Sequence, residues 1–283
     1  MTRLIHLLAF TALAVLCVTT SAQEDTADDW LNRGDESREM AINETQNETA
    51  REIYLQESLE AYKKATEINP QSASAWFKIG KLQIDFLGNF DEALNAFNRS
   101  TEIDPQSADA WYLRGKTLTG FGNYEAALES YNESLKIRPN SSEVWYWKAG
   151  VLAELERYEE AVQAYDEAIG TDPTQASYWL ERGGALNGLD RKDEANASFT
   201  KAAELYGDAI ELNPKNVMAW QGKGMTLYHL GRYNESIQYF DKVMELAPTY
   251  YRSYHYKGRA LQDLGREAEA EELFAKSKEL GGI

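Results

Sequence analysis

The chain has very little of what most catalytic and metal chemistry uses. Of its 283 residues, one is cysteine and three are histidine. The cysteine, Cys17, lies in an apolar run from Leu4 to Val18, preceded by Arg3 and followed by the small residues Thr19-Thr20-Ser21-Ala22 and then Gln23-Glu24-Asp25. That order of charge, apolar stretch and small residues is the layout of a secretory signal peptide, with cleavage expected near Ala22. The run is near the lower limit for spanning a bilayer, so a retained anchor is the alternative. Leu16 is bulky where a lipoprotein signal places a small residue, which argues against lipidation of Cys17.

Removal of residues 1–22 would leave no cysteine at all, excluding disulfides, iron–sulfur clusters and thiol nucleophiles. His229 and His255 would be the remaining imidazoles. No cluster of histidines and cysteines, glycine-rich phosphate loop or Ser/His/Asp arrangement is legible, so neither an enzyme, a metal site nor a cofactor is expected. Basic residues are also scarce, 29 Lys and Arg against 46 Asp and Glu, for a net charge of −17. Nucleic acid binding relies on clustered cations and is not expected. Membrane contact is expected only through an uncleaved signal.

What is present is a beat. The six prolines stand at 70, 105, 139, 173, 214 and 248, with gaps of 35, 34, 34, 41 and 34, and Trp76, Trp111, Trp145, Trp179 and Trp220, then Tyr254, keep the same time. A fixed period of this length signals stacked supersecondary units. Within one period, Ala108 to Ser141, apolar and small residues fall at helical spacing twice, divided by Gly120-Phe121-Gly122-Asn123-Tyr124. The pattern predicts helix, turn, helix, with proline stopping the second helix. Counting Ala108 as position 1, position 8 is held through the chain by Gly34, Gly80, Gly115, Ala149, Gly183, Gly224 and Gly258. Position 24 is held by Tyr62, Phe97, Tyr131, Tyr165, Phe199, Phe240 and Phe274. Small residues at 8, 20 and 27 let two helices approach closely while the aromatics fill the space around them.

In this order of Trp, Gly, Ala, aromatic, Ala and Pro the chain resembles the tetratricopeptide repeat family. The resemblance implies an all-α fold, a right-handed superhelical α-solenoid of antiparallel helix hairpins. It divides the chain into a signal at 1–22 and repeats at 23–72, 73–107, 108–141, 142–175, 176–216, 217–250 and 251–283. Two repeats depart from the pattern. The first carries a polar surplus, ESREMAINETQNETARE, that would either lengthen both helices or form a loop. The fifth gains seven residues within AELYGDAIELNP, close to two helical turns, and is expected to be a longer helix in phase with itself.

Solenoids bind partners along an extended concave surface. In proteins similar to this one a stripe at positions 2, 5, 9 and 12 of each first helix faces that groove. Here the stripe supplies the candidates Phe77, Lys81, Tyr112, Lys116, Tyr146, Gln221, Tyr228, His255 and Arg259. Modules of this family that hold a chaperone C-terminus resemble a clamp of Lys and Asn, of which only Lys81 and Lys116 are present. Aromatics with lysines suit an extended peptide or protein segment of some acidic character. The alternative is that these aromatics pack between repeats. Three functions follow as expectations: an interaction scaffold outside the cytoplasm, a chaperone-like carrier or assembly factor for secreted or envelope proteins, and a self-associating array. The charged outer side of the last helix, with Glu271, Glu272, Lys276 and Lys278, suits a terminal cap and a monomer.

Seven of the fifteen asparagines, Asn43, Asn47, Asn98, Asn132, Asn140, Asn196 and Asn234, begin an Asn-X-Ser/Thr sequon. Ser100, Ser134 and Ser236 stand where the repeat needs a small residue anyway, so the strongest glycosylation candidates are Asn43, Asn47 and Asn140. A signal, no mature cysteine, an acidic surface and many sequons together predict a secreted or envelope glycoprotein, with a tilt towards an archaeal source.

Overall fold

A computed structural model describes residues 25–282; the expected signal peptide, with Cys17 and Ala22, lies outside the described residues. Among them the chain is an all-α solenoid of paired antiparallel helices, in seven hairpins. The helices are α1 (Ala27–Asn43), α2 (Glu48–Ile68), α3 (Ala73–Leu82), α4 (Phe90–Ile103), α5 (Ala108–Gly120), α6 (Tyr124–Ile137), α7 (Ser142–Glu154), α8 (Tyr158–Thr171), α9 (Ala176–Gly188), α10 (Lys192–Leu212), α11 (Val217–His229), α12 (Tyr233–Leu246), α13 (Tyr251–Asp263) and α14 (Glu267–Glu279). They form two compact units divided after Pro105, the first holding α1 to α4 and the second α5 to α14.

Each hairpin is built around one contact. The position-24 ring of the second helix lies against the backbone of position 8 in the first, so closely that a Cβ would fall 2.7 Å from Phe97 at Gly80, 2.6 Å from Tyr131 at Gly115 and 2.5 Å from Phe199 at Gly183. The rings of Tyr62, Phe97, Tyr131, Phe199 and Phe240 are fully buried there. In these hairpins glycine at position 8 answers to close approach. The fourth hairpin carries Ala149 at position 8 and Tyr165 at position 24, both buried.

The shared beat of proline and tryptophan also has a direct cause. The indole N–H of Trp76, Trp145, Trp179 and Trp220 donates to the carbonyl of Pro70, Pro139, Pro173 and Pro214, at 3.1, 2.8, 3.0 and 2.9 Å. Tyr254 makes the same bond to Pro248 with its hydroxyl, at 2.9 Å. The carbonyl of the residue that ends one hairpin is thus held by the first turn of the next. Position 27 adds a second tie: the hydroxyls of Ser100, Ser134 and Ser277 donate to the position-1 carbonyls of Ala73, Ala108 and Tyr251. The serines of the Asn98 and Asn132 sequons are therefore held by their hydroxyls as well as by their size.

The departures from the period resolve into helix geometry. In the first hairpin both helices lengthen, to 17 and 21 residues, and the polar surplus leaves only a short turn between them. Because they lengthen together, Ser58 still donates to the Gly34 carbonyl at 2.8 Å, and the Tyr62 hydroxyl reaches Asp35 at 2.7 Å. In the second hairpin the extra residue of the 35-residue gap is absorbed by a π-helical turn, Gln83–Leu87, at the end of α3.

In the fifth hairpin α10 runs unbroken for 21 residues. Its surplus shifts the next hairpin by two turns. Elsewhere position 6 of one repeat sits over the position-24 ring before it: Tyr256 lies 6.0 Å from Phe240, and the Lys78 ammonium lies 5.9 Å from the Tyr62 ring. After the surplus, position 13 takes that place, and His229 stacks on Phe199 with centroids 5.0 Å apart and planes 9° from parallel. Position 6, Gly222, instead meets the ring of Tyr206, seven residues beyond Phe199. Seven residues fall about 20° short of two full turns, so a ring repeated at that spacing stays on the buried face.

Candidate functional site

In four hairpins the first helix presents its position 5 to the ring of position 24. Phe77 meets Phe97 at 6.1 Å, Tyr112 meets Tyr131 at 6.4 Å, Tyr146 meets Tyr165 at 6.0 Å and His255 meets Phe274 at 5.6 Å. These side chains are half-buried, with one side on the core and the other open.

In the first unit Phe77 and Lys81 line a cleft with Arg38, Tyr62, Ser74 and Lys78. Three of its six residues are cationic. Lys78 is held by Asp35 at 2.7 Å and Lys81 by Asp85, its neighbour one turn on, at 2.6 Å. Arg38 reaches Asp35 only through its field, and the Lys78 hydrogen bond, with the Tyr62 hydroxyl, holds the Asp35 carboxyl below its ordinary pKa against the opposing effect of burial. Burial, then the hydrogen bond to Asp35, pushes Tyr62 up to about 12. Arg38, Lys78 and Tyr62 join the residues that the stripe alone singles out, since Arg38 arrives from the lengthened α1.

In the second unit Tyr112 donates to Glu143 at 2.5 Å, and Lys116 is sandwiched 5.5 Å from the Tyr112 ring and 4.9 Å from the Trp147 ring. Tyr146 stacks on Tyr178 at 4.9 Å. Tyr228 contacts Tyr233 and Tyr256, with the Arg259 guanidinium 5.7 Å from its ring. His255 is held below its usual pKa by burial and then by Arg259. Gln221 is the exception among the candidates. It is 3% exposed and its amide nitrogen and oxygen have no partner, so it faces packed protein and not an open surface. Its position follows the stripe, but like Leu180 at the same position of the fifth hairpin it is buried.

Among the seven sequons, Asn43, Asn47, Asn132, Asn140, Asn196 and Asn234 are exposed and Asn98 is half-buried. Asn47 caps α2, accepting from the Ala50 N–H through its carbonyl oxygen at 3.1 Å, which leaves its amide nitrogen turned to solvent. Among the described residues, no group of three or more His, Cys, Asp or Glu could hold a metal ion, and no helix is long and apolar enough to cross a membrane.

Tetratricopeptide repeat models match residues 86–142, 120–176 and 191–251, which together make up more than half of the chain. The chain belongs to the tetratricopeptide repeat family. A further TPR repeat model matches residues 55–84, and another tetratricopeptide repeat model matches 251–280. Among solved structures, it is similar to a tetratricopeptide repeat protein from Parabacteroides merdae, 17% identical over 88% of this chain and 94% of that one, with a TM-score of 0.65. It is also similar to the MamA protein, 21% identical over 66% of this chain and 95% of that one, TM-score 0.58. The pilF protein of Pseudomonas aeruginosa is 22% identical over 75% and 93%, TM-score 0.53. At these identities the likeness is one of fold. No curated protein matches the chain. As a repeat protein of this type it is a scaffold for binding protein or peptide.

Proposed function

We propose that the protein works outside the cytoplasm as a scaffold that holds an extended segment of a partner protein against the first-helix faces of its repeats. The observation that carries this reading is the cleft of Phe77, Lys81, Arg38, Lys78, Ser74 and Tyr62. It offers an aromatic wall beside three cations, a chemistry suited to an acidic or carboxylate-bearing stretch of extended chain. In the second unit half-buried tyrosines stand at the same repeat position, Tyr112 and Tyr146, and offer contact area of the same kind. Location outside the cytoplasm rests on the apolar run and small residues of 1–22 and on the number of exposed sequons.

Affinity capture from the native envelope, compared with a Tyr112→Ala/Tyr146→Ala double variant, tests the reading. The expected result is loss of the captured partner with helicity retained; unchanged capture with unchanged helicity overturns it. N-terminal sequencing and intact mass of the native protein test the location. A start after Ala22 and added sugar mass are expected, whereas an unprocessed, unmodified chain contradicts it.

A further inference from the structure

In the second unit the position-25 acid of one hairpin takes up the position-7 cation of the next. Arg182 donates to Asp166 at 2.6 Å and Lys257 to Asp241 at 2.5 Å. Between the third and fourth hairpins the same two positions hold Asn132, which begins a sequon, and Lys148. The ion pair is gone there. Asn132 is exposed and its side-chain amide makes no hydrogen bond among the described residues. The Lys148 ammonium has no acid within ion-pair distance among them and rests 4.8 Å from the centre of the Trp145 ring.

These groups share a cleft of about 450 Å³, lined by Glu129, Asn132 and Leu135 of α6 and by Trp145 and Lys148 of α7. Glu133 and Lys136 line it too and are taken up by each other at 2.5 Å. Trp145 is half-buried, and its indole N–H is tied to the Pro139 carbonyl, which fixes the ring. Leu135 adds a buried apolar side chain, and Glu129 is exposed and without an ion pair. The cleft thus offers a fixed aromatic ring, an ammonium donor and a carboxylate acceptor around one asparagine amide. A pyranose ring matches that set, with C–H groups on its face and hydroxyls around its rim.

We propose that Asn132 carries an N-linked sugar whose first rings lie in this cleft, against Trp145 and Leu135, with hydroxyls bonded to Lys148 and Glu129. The inference rests on the location outside the cytoplasm proposed above. The donor is a sugar carried on a lipid diphosphate: the Asn132 amide nitrogen bonds to the anomeric carbon and gives up a proton, and the lipid diphosphate leaves. Ser134 sets the timing. It is 1% exposed and its hydroxyl donates to the Ala108 carbonyl at 2.8 Å. The sequon includes that hydroxyl, so transfer precedes the docking of α6 on α5. Once the hairpin has closed, the sugar stands where the neighbouring joints place an acid.

The test has two measurements on the folded protein from its source organism: glycopeptide mapping, and hydroxyl-radical footprinting beside an Asn132→Gln variant made in the same organism. The expected result is a sugar at Asn132, with Trp145 oxidised severalfold more slowly than in Asn132→Gln. Trp179, at the same position of the next hairpin, is expected to be oxidised equally in both chains. An unmodified Asn132, or equal oxidation of Trp145 in the two chains, overturns the inference. If Asn132 is bare while the chain starts after Ala22 and Asn43 or Asn140 carries sugar, the location stands and only this site is lost. An unprocessed chain, bare at every sequon, takes both down together.

Discussion

Gly115 and Gly184 are both helical glycines, at positions 8 and 9 of their repeats. A Cβ at Gly115 would sit 2.6 Å from a buried tyrosine ring, whereas one at Gly184 would enter open space. Gly115→Ala is therefore expected to destabilise by about 1–3 kcal/mol through overpacking. Gly184→Ala is expected to stabilise by about 0.5–1 kcal/mol, because a helical glycine becomes alanine with no contact disturbed. Thermal midpoints moving in opposite directions would bear this out, and a loss of stability in both would contradict it. The sequence carried the first of these glycines plainly, since position 8 recurs with a large aromatic at position 24. It gave no sign of the second, because nothing in the pattern tells which helical glycine lacks a ring against it.

Glu181 also sets a pH dependence. Its folded-state pKa is raised, so the folded chain holds this proton more tightly than the unfolded chain does. Its contribution to stability is present below the ordinary carboxylate range and is lost as pH rises through the elevated value. The larger cause is burial, and the second is the field of Glu154, also acidic. Glu181→Gln mimics the protonated carboxyl. It is expected to raise the thermal midpoint near neutral pH, with the difference shrinking as pH falls into the ordinary carboxylate range; a difference that grows towards low pH contradicts the sign.

At the scale of elements, the solenoid tolerates extra residues where they preserve helical phase. The surplus in α10 is seven residues, and Phe199 and Tyr206, that far apart, each meet the following helix, at His229 and at Gly222. Deleting residues 203–209 should return the fifth hairpin to the common length and keep the array helical and cooperative. Deleting 203–205 alone turns the helix end by nearly a full turn less about 60°, which should carry the following buried face out of register and lower the midpoint sharply. Equal midpoints for the two deletions would contradict this account. That the surplus continues the helix was legible from its length. That it moves the next hairpin along and brings Tyr206 against Gly222 was not, because each is a consequence of packing between hairpins. The second hairpin teaches the same lesson: a gap of 35 was visible, but its absorption as the π-helical turn Gln83–Leu87 was not.

At the scale of the molecule, each unit offers a first-helix face of distinct chemistry. The first unit's cleft is aromatic and cationic around Phe77, Arg38, Lys78 and Lys81, and the second unit's first helices carry the half-buried tyrosines Tyr112 and Tyr146. The net charge of −17, read from composition, describes neither face.

The measurement that bears most directly on the scaffold account is site-specific photo-crosslinking in the native envelope. A photoreactive phenylalanine analogue would replace Phe77 or Tyr146 on first helices, with Asn132 or Glu204 on second helices as the comparison. The account predicts crosslinks to one partner from Phe77 and Tyr146 and none from Asn132 or Glu204. Crosslinks from the second-helix positions, with none from the first, would contradict it.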